Sequence, residues 1–282
     1  MKRTTGILMN DVWLMLVVGF CLLSAVGYVA YLFVQKRRIH KIASMLLWAG
    51  FISQTILLIS QCMDRGNLPV HNLRETLFLC AWSVAGVFLF FQIKFRLMVL
   101  GAFVAPLTTG ILIAASILPG ESVATDPTLK NIWLIPHVVS IFLGNASFAV
   151  AFGLAVIYLI QERQIKGKKP GFFYRRLPSL TRLDSMGYVS IAIGFSMLTI
   201  GMVTGAIYAQ LVWGRYWSWD PKEVWSLITW LIYATLLHER LAVGWQGRRA
   251  AIMAIIGFAA LLFTFFGVNF LLEGHHESFT RL

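Results

Sequence analysis

Charge is what this 282-residue chain has least of: only 13% of its residues are Asp, Glu, Lys or Arg, against roughly 25% in water-soluble domains. With 58% hydrophobic residues and a mean hydropathy of +0.74, a soluble globular fold with a water-filled catalytic cleft is excluded. Cysteine is almost as scarce. Cys21, Cys62 and Cys80 are far apart and none belongs to a CxxC or CxxCH pair, which excludes a disulfide framework and thiol-exchange chemistry and leaves Cys21 and Cys80 as packing or lipid-facing residues. Acidic residues number 12 against 24 basic ones, a net charge of +12 with a pI near 10.0. The basic residues stand in short blocks between apolar runs and not along one amphipathic face, so they read as topology signals and not as a nucleic-acid surface. Soluble domains, low-complexity tracts and internal repeats are likewise missing. The first apolar run begins late and lacks a small-residue cleavage site, so it is expected to be a retained helix.

What the chain has in abundance is apolar runs long enough for a hydrocarbon core of about 30 Å. A window of about 19 residues predicts eight spans, at 11–34, 42–61, 74–92, 97–117, 133–160, 185–212, 225–238 and 250–272. The expected fold is therefore an all-α integral-membrane bundle of about eight transmembrane helices, a single polytopic domain over 1–282. Sixteen of the 24 Lys and Arg residues fall in alternate connections, among them Lys36, Arg37, Arg38, Lys41, Lys94, Arg96, Arg240, Arg248 and Arg249, together with seven in 161–184. Because such loops stay on the cytoplasmic side, both termini are expected outside, in the periplasm, the exterior or a thylakoid lumen. The short first connections predict antiparallel helix pairs.

One outer connection is unusual. Segment 213–230, WGRYWSWDPKEVWSLITW, holds five of the ten tryptophans. One reading is an interfacial belt, where indoles settle at headgroup depth. The other is a surface for a flat, apolar, anionic ligand, with Trp213, Trp217, Trp219 and Trp225 stacking on its plane and Arg215 and Lys222 pairing with its carboxylates. Asp220, Pro221 and Glu223 also spell a capping box that opens the seventh helix, and a fixed helix start is compatible with either reading.

The six histidines separate by depth. His40 lies in the first basic loop and is expected to be solvated. His71 stands beside Asn72 in an outer connection, a weaker candidate ligand, and Asn72, Arg74 and Glu75 either satisfy a helix start or line a route. His137 follows Pro136 about one turn inside the fifth helix, where an imidazole needs a partner, and His275 and His276 follow the eighth helix on the same outer side. His137 and one of that pair approach the tryptophan segment in the manner of two axial ligands on one iron. His238 lies thirteen residues beyond Trp225, about 20 Å along a helix at 1.5 Å per residue, and either snorkels to the inner interface or forms a second, inner station.

Together these pieces look familiar. The segment 213–230 resembles the tryptophan-rich WWD segment of haem-handling proteins of cytochrome c biogenesis. NLRETLFLCAW at 72–82, LIYATLLHER at 231–240 and FGVNFLLEGHH at 266–276 are similar to segments of the CcsA (ResC) branch of that superfamily. The resemblance implies a haem-handling subunit of a cytochrome c synthase, presenting haem b at the outer face for thioether attachment to the CxxCH of apocytochromes c, alongside a CcsB (ResB) membrane subunit in a bacterial inner or thylakoid membrane. It implies haem-iron ligands at His137, at His276 (the family reads Gly-Leu-His there, so His275 stays as the alternative) and at His238, with Trp213, Trp217, Trp219, Asp220, Trp225, Arg215 and Lys222 cradling the haem. No nucleophile of the chain's own is required, because the client brings the thiol. Two other readings stand beside this one: a haem exporter or chaperone serving a separate carrier, and a transporter or scaffold without haem.

Overall fold

The apolar runs do become helices, but their ends are set by capping chemistry more than by hydropathy. The computed structural model describes residues 2–119, 127–168, 171–172 and 174–268. Among the described residues there is no strand, and the helices are α1 (Lys2–Val34), α2 (Arg37–Arg65), α3 (Leu73–Phe95), α4 (Gly101–Ile117), α5 (Leu134–Lys166), α6 (Leu180–Trp213), α7 (Pro221–His238) and α8 (Arg248–Leu262). Short 3₁₀ and π-type turns add Pro127–Lys130, Glu239–Val243 and Phe263–Gly267.

Eight helices stand at the eight expected runs. Among the described residues, six of them are by length and composition long and apolar enough to cross a membrane: α1 over Val12–Val34, α2, α3, α5, α6, and α8 continued to Gly267. The fourth is apolar but only 17 residues long, because Arg96 turns left-handed at φ 52° and breaks the apolar run ahead of it. The seventh, at 18 residues, begins with a polar turn that holds Lys222 and Glu223.

The chain divides into two compact units, one reaching to Leu129 and the other beginning at Lys130. In the first, α1 packs on α2 and α4, and α3 packs on α4 and α2. Several polar groups find partners across these helices, as hydrocarbon surroundings favour. Ser24 donates to the Ala43 carbonyl at 2.8 Å, Gln54 Nε2 to the Phe78 carbonyl at 2.7 Å, and Trp82 Nε1 to Thr55 Oγ1 at 2.8 Å. Tyr28 donates to Gln92, whose amide nitrogen donates to Ser44 at 2.6 Å. His40 is buried here, correcting the solvated placement. Only Gln35 and Lys36 separate α1 from α2, so His40 falls in the first turn of α2, where its ring meets Tyr28 and Tyr31 edge-on at 5.6 and 5.2 Å. Cys21 is a packing residue, 1% exposed.

In the second unit, α5 packs along α6 and against α8, and α7 lies against α6 and α8. Tyr233 stacks on Phe148 at 3.6 Å and Phe258 on Phe152 at 4.6 Å, rings nearly parallel. At one end Asp184 takes both Arg240 Nη1 and Nη2, at 3.0 and 2.7 Å, and the Gly247 backbone N–H at 2.7 Å. This bidentate pair ties the end of α7 and the start of α8 to α6.

Candidate functional site

The opposite end of the second unit is where α6 stops and α7 starts. Gly214, left-handed at φ 73°, ends α6, and its N–H returns to the Gln210 carbonyl at 3.0 Å; a glycine at this position is the usual helix terminator. Six residues later Asp220 caps α7. Its carboxylate accepts from the Lys222 N–H at 2.8 Å, and the box is completed by Glu223. Glu223 does more than a box requires. Its carboxylate also accepts the Ser218 backbone N–H at 2.8 Å and the Ser218 hydroxyl at 3.0 Å, besides the Asp220 N–H at 3.2 Å. One carboxylate thereby fixes the connection.

Held in this way, Trp219 adopts φ 60°, a left-handed backbone that bulky residues rarely take, and its side chain is 76% exposed. Trp217 stands perpendicular to it, ring centres 5.9 Å apart. The five tryptophans thus divide. Trp217 and Trp219 form a presented pair on the connection. Trp213 is edge-on to Tyr208 at 5.8 Å, Trp225 packs on Phe263 at 4.3 Å, and Trp230 donates to Thr199 at 2.9 Å beside Phe195. Tyr216 and Arg215 are exposed, and Asp220 is buried. Lys222, ahead of the apolar part of α7, has its ammonium pushed down to about 8 by burial, with Asp220 acting in the opposite direction.

His137 belongs to the same end. It sits in the first turn of α5, half-buried, and Nδ1 lies 2.8 Å from the Gly201 carbonyl on α6. A carbonyl can only accept, so the proton is on Nδ1 and the basic nitrogen is Nε2, the tautomer that a metal-ligating imidazole requires. Gly205 makes the room: a Cβ there would stand 2.5 Å from Nδ1. From Gly205 to Trp213 is eight residues, about 12 Å along the helix.

His238 is at the other end, the last residue of α7 and exposed, next to the Asp184–Arg240 clamp. Leu236, Leu237 and Arg240 line a shallow groove with Tyr158, Gly187 and Tyr188. His275 and His276 lie outside the described residues. Sequence reasoning missed the Gly201 and Gly205 seat for His137, although small residues recur at 187, 194, 201 and 205 of α6, a spacing that returns to nearly one helix face. It also missed the carboxylate that faces His71.

Residues 70–276 match the family model described as Cytochrome C assembly protein. The chain is 36% identical over 269 residues to the cytochrome c biogenesis protein CcsA of Microcystis aeruginosa, covering 78% of this chain and 82% of that one. With the CcsA of Guillardia theta it shares 35% over 245 residues, 80% and 81% of the two chains. It belongs to the cytochrome c assembly protein family, in the CcsA branch. The matched stretch of this CcsA-family chain runs from the α2–α3 connection past the capped tryptophan segment to His276. Its fold also resembles a solved structure, Cytochrome c Heme Lyase CcmF, with a TM-score of 0.61 and 20% identity over 96% of this chain and 48% of that one. The chain spans about half of that protein's length, and the likeness speaks for the fold.

Proposed function

We propose that this CcsA-family protein is the haem-handling subunit of a cytochrome c synthase, a single polytopic membrane domain that presents haem b at the outer membrane face to the CxxCH cysteines of apocytochromes c, together with a CcsB (ResB) type subunit. Haem is the cargo. The observation that carries the reading is His137, whose Nδ1–H is committed to the Gly201 carbonyl so that Nε2 is the ligating nitrogen, at the end of the unit that displays Trp217 and Trp219. A half-buried imidazole of fixed tautomer, flat indole faces and two cations are the donor set that a planar, iron-bearing dicarboxylate calls for.

In this mechanism the bound haem supplies two vinyl groups, each of which takes a client thiol to form a thioether. The chain's own residues position it. His137 and His276 (or His275) would hold the iron; Trp213, Trp217, Trp219 and Trp225 would line the macrocycle; Arg215 and Lys222 would pair with the propionates. Asp220, which would border the haem, and Glu223 keep the indoles in place through the cap. His238, exposed at the inner end of α7, serves an inner station whose second ligand comes from the partner subunit.

The test is the visible spectrum of the purified complex, oxidised and reduced. A bis-histidine b-type spectrum is expected, altered or lost in His137→Ala and His276→Ala and recovered with added imidazole, while His238→Ala affects a separate inner haem. A colourless preparation from haem-replete cells would overturn the reading and favour a transporter or scaffold. Haem that binds normally but passes only to a soluble carrier, with no thioether product, would favour the exporter.

A further inference from the structure

Two π turns stand among the described residues, Glu239–Val243 and Phe263–Gly267. Single π turns are rare in helices and fall frequently at functional sites. The first follows His238 directly. The second continues α8 and packs against α7, closed by the Val268 N–H on the Phe263 carbonyl. Gly267 lets the Phe263 ring lie over this turn, because a Cβ there would stand 2.6 Å from the ring. That ring in turn packs on Trp225, ring centres 4.3 Å apart.

A pair of hydroxyls joins the same two helices. Thr229 of α7 is 3% exposed, and its Oγ1 lies 3.1 Å from Oγ1 of Thr264 in the π turn. Thr229 reaches the Trp225 carbonyl at 2.9 Å, while Thr264 reaches the Ala260 carbonyl at 2.9 Å and the Trp225 carbonyl at 3.3 Å. Each hydroxyl has one proton. Were both protons spent within their own helices, lone pairs would face each other across 3.1 Å, so one proton lies between α7 and α8. Trp225 is thereby gripped from α8, at its ring by Phe263 and beside its carbonyl by the hydroxyl pair. The capping box of α7, which ends at Glu223, does neither.

We propose that Thr264 and Phe263 are positioning residues for haem handling: from the π turn of α8 they set the Trp225 indole, and through it the seat of the outer haem. The inference rests on the haem reading above. Hydroxyl pairs that only join helices are common in membrane bundles; this one meets the carbonyl of a residue assigned to the macrocycle. The outer site then has two separate supports, the capped connection for Trp217 and Trp219 and the π turn for Trp225.

The test uses the full chain labelled with 5-fluorotryptophan, first without haem, with Trp225→Phe assigning the Trp225 fluorine line. Thr264→Val, which keeps the side-chain shape and loses the hydroxyl, should shift that line, and Thr264→Ser should restore it. Thr229→Val breaks the same pair from α7, and Gly267→Ala presses on Phe263; both should shift it too. Thr235, exposed and bonded to the Leu231 carbonyl of its own helix at 2.9 Å, is the control, and Thr235→Val should move nothing. With haem added, Thr264→Val should hold the outer haem about 3- to 10-fold more weakly, the worth of one hydrogen bond, with altered circular dichroism of its Soret band and no change in the haem that depends on His238. Serine should restore both. A Trp225 line unmoved in Thr264→Val and Thr229→Val overturns the positioning. A moved line with unchanged haem affinity and dichroism reduces the pair to helix packing and overturns the proposal as well. A native chain that takes up no haem, its Trp225 line still moving, overturns instead the haem reading on which the proposal rests.

Discussion

Gly205 and His137 fix each other. The imidazole occupies the space where any larger residue at position 205 would put its Cβ, 2.5 Å from Nδ1, so Gly205→Ala must displace the ring and disturb its bond to Gly201. We expect that variant to remain folded and to lose about 10- to 100-fold in haem affinity, the range for disturbed ligand-supporting groups; retained haem after detergent washing is the measurement. Lys222 makes a pH prediction. Its ammonium is fully charged well below about 8 and neutral well above it, so an anion paired with it is held at lower pH and released as pH rises through that value. Haem affinity should fall about tenfold across the transition, the worth of one charge-assisted hydrogen bond. Lys222→Arg, which keeps its charge, should abolish the fall, with equilibrium haem titrations on either side of the transition as the check.

Among the elements, α7 depends most on its first turn. Asp220→Ala removes a cap worth about 1 kcal/mol and loosens the connection that Glu223 gathers. The expected outcome is a modest drop in Tm with a larger rise in tryptic cleavage after Arg215, read by limited proteolysis against a control site. The caps are also where the sequence was most legible: Asp220-Pro221-Lys222-Glu223 appears in the structure as the capping box it spells, because such a box is a local arrangement of neighbouring residues. What depends on distant partners was not legible. His40 read as part of a basic loop because the chain's Lys and Arg residues conceal that α2 has already begun at Arg37, and what buries it are two tyrosines of α1. The seat of His137 is made by glycines more than sixty residues away. Helix lengths were misjudged at the end of α5 and the start of α6, since the apolar window stops where charged residues begin while the backbone continues to Lys166 and starts at Leu180.

For the whole molecule, the main expectation is orientation. Sixteen of the 24 basic residues occupy alternate connections, from which the 161–184 connection is expected in the cytoplasm and the tryptophan segment outside. With the native cysteines removed, Ser218→Cys should react with a membrane-impermeant maleimide on intact cells, and Lys168→Cys only after permeabilisation. The reverse pattern would invert the topology and place the presented indoles on the cytoplasmic side. The two compact units divide the histidines as well: His40 and His71 belong to the first, His137 and His238 to the second.

The convergence of Ser218 and Asp220 on the Glu223 carboxylate has a kinetic consequence. A connection already ordered before its flat guest arrives loses little conformational entropy on capture, so capture is fast and selective for shape. The same order offers no hinge for letting go. On the proposed function, residence time would then be governed by exchange at the iron, with an imidazole from the client replacing one from the chain, and the rate of transfer should follow the strength of the His137 bond more closely than any change to the indoles.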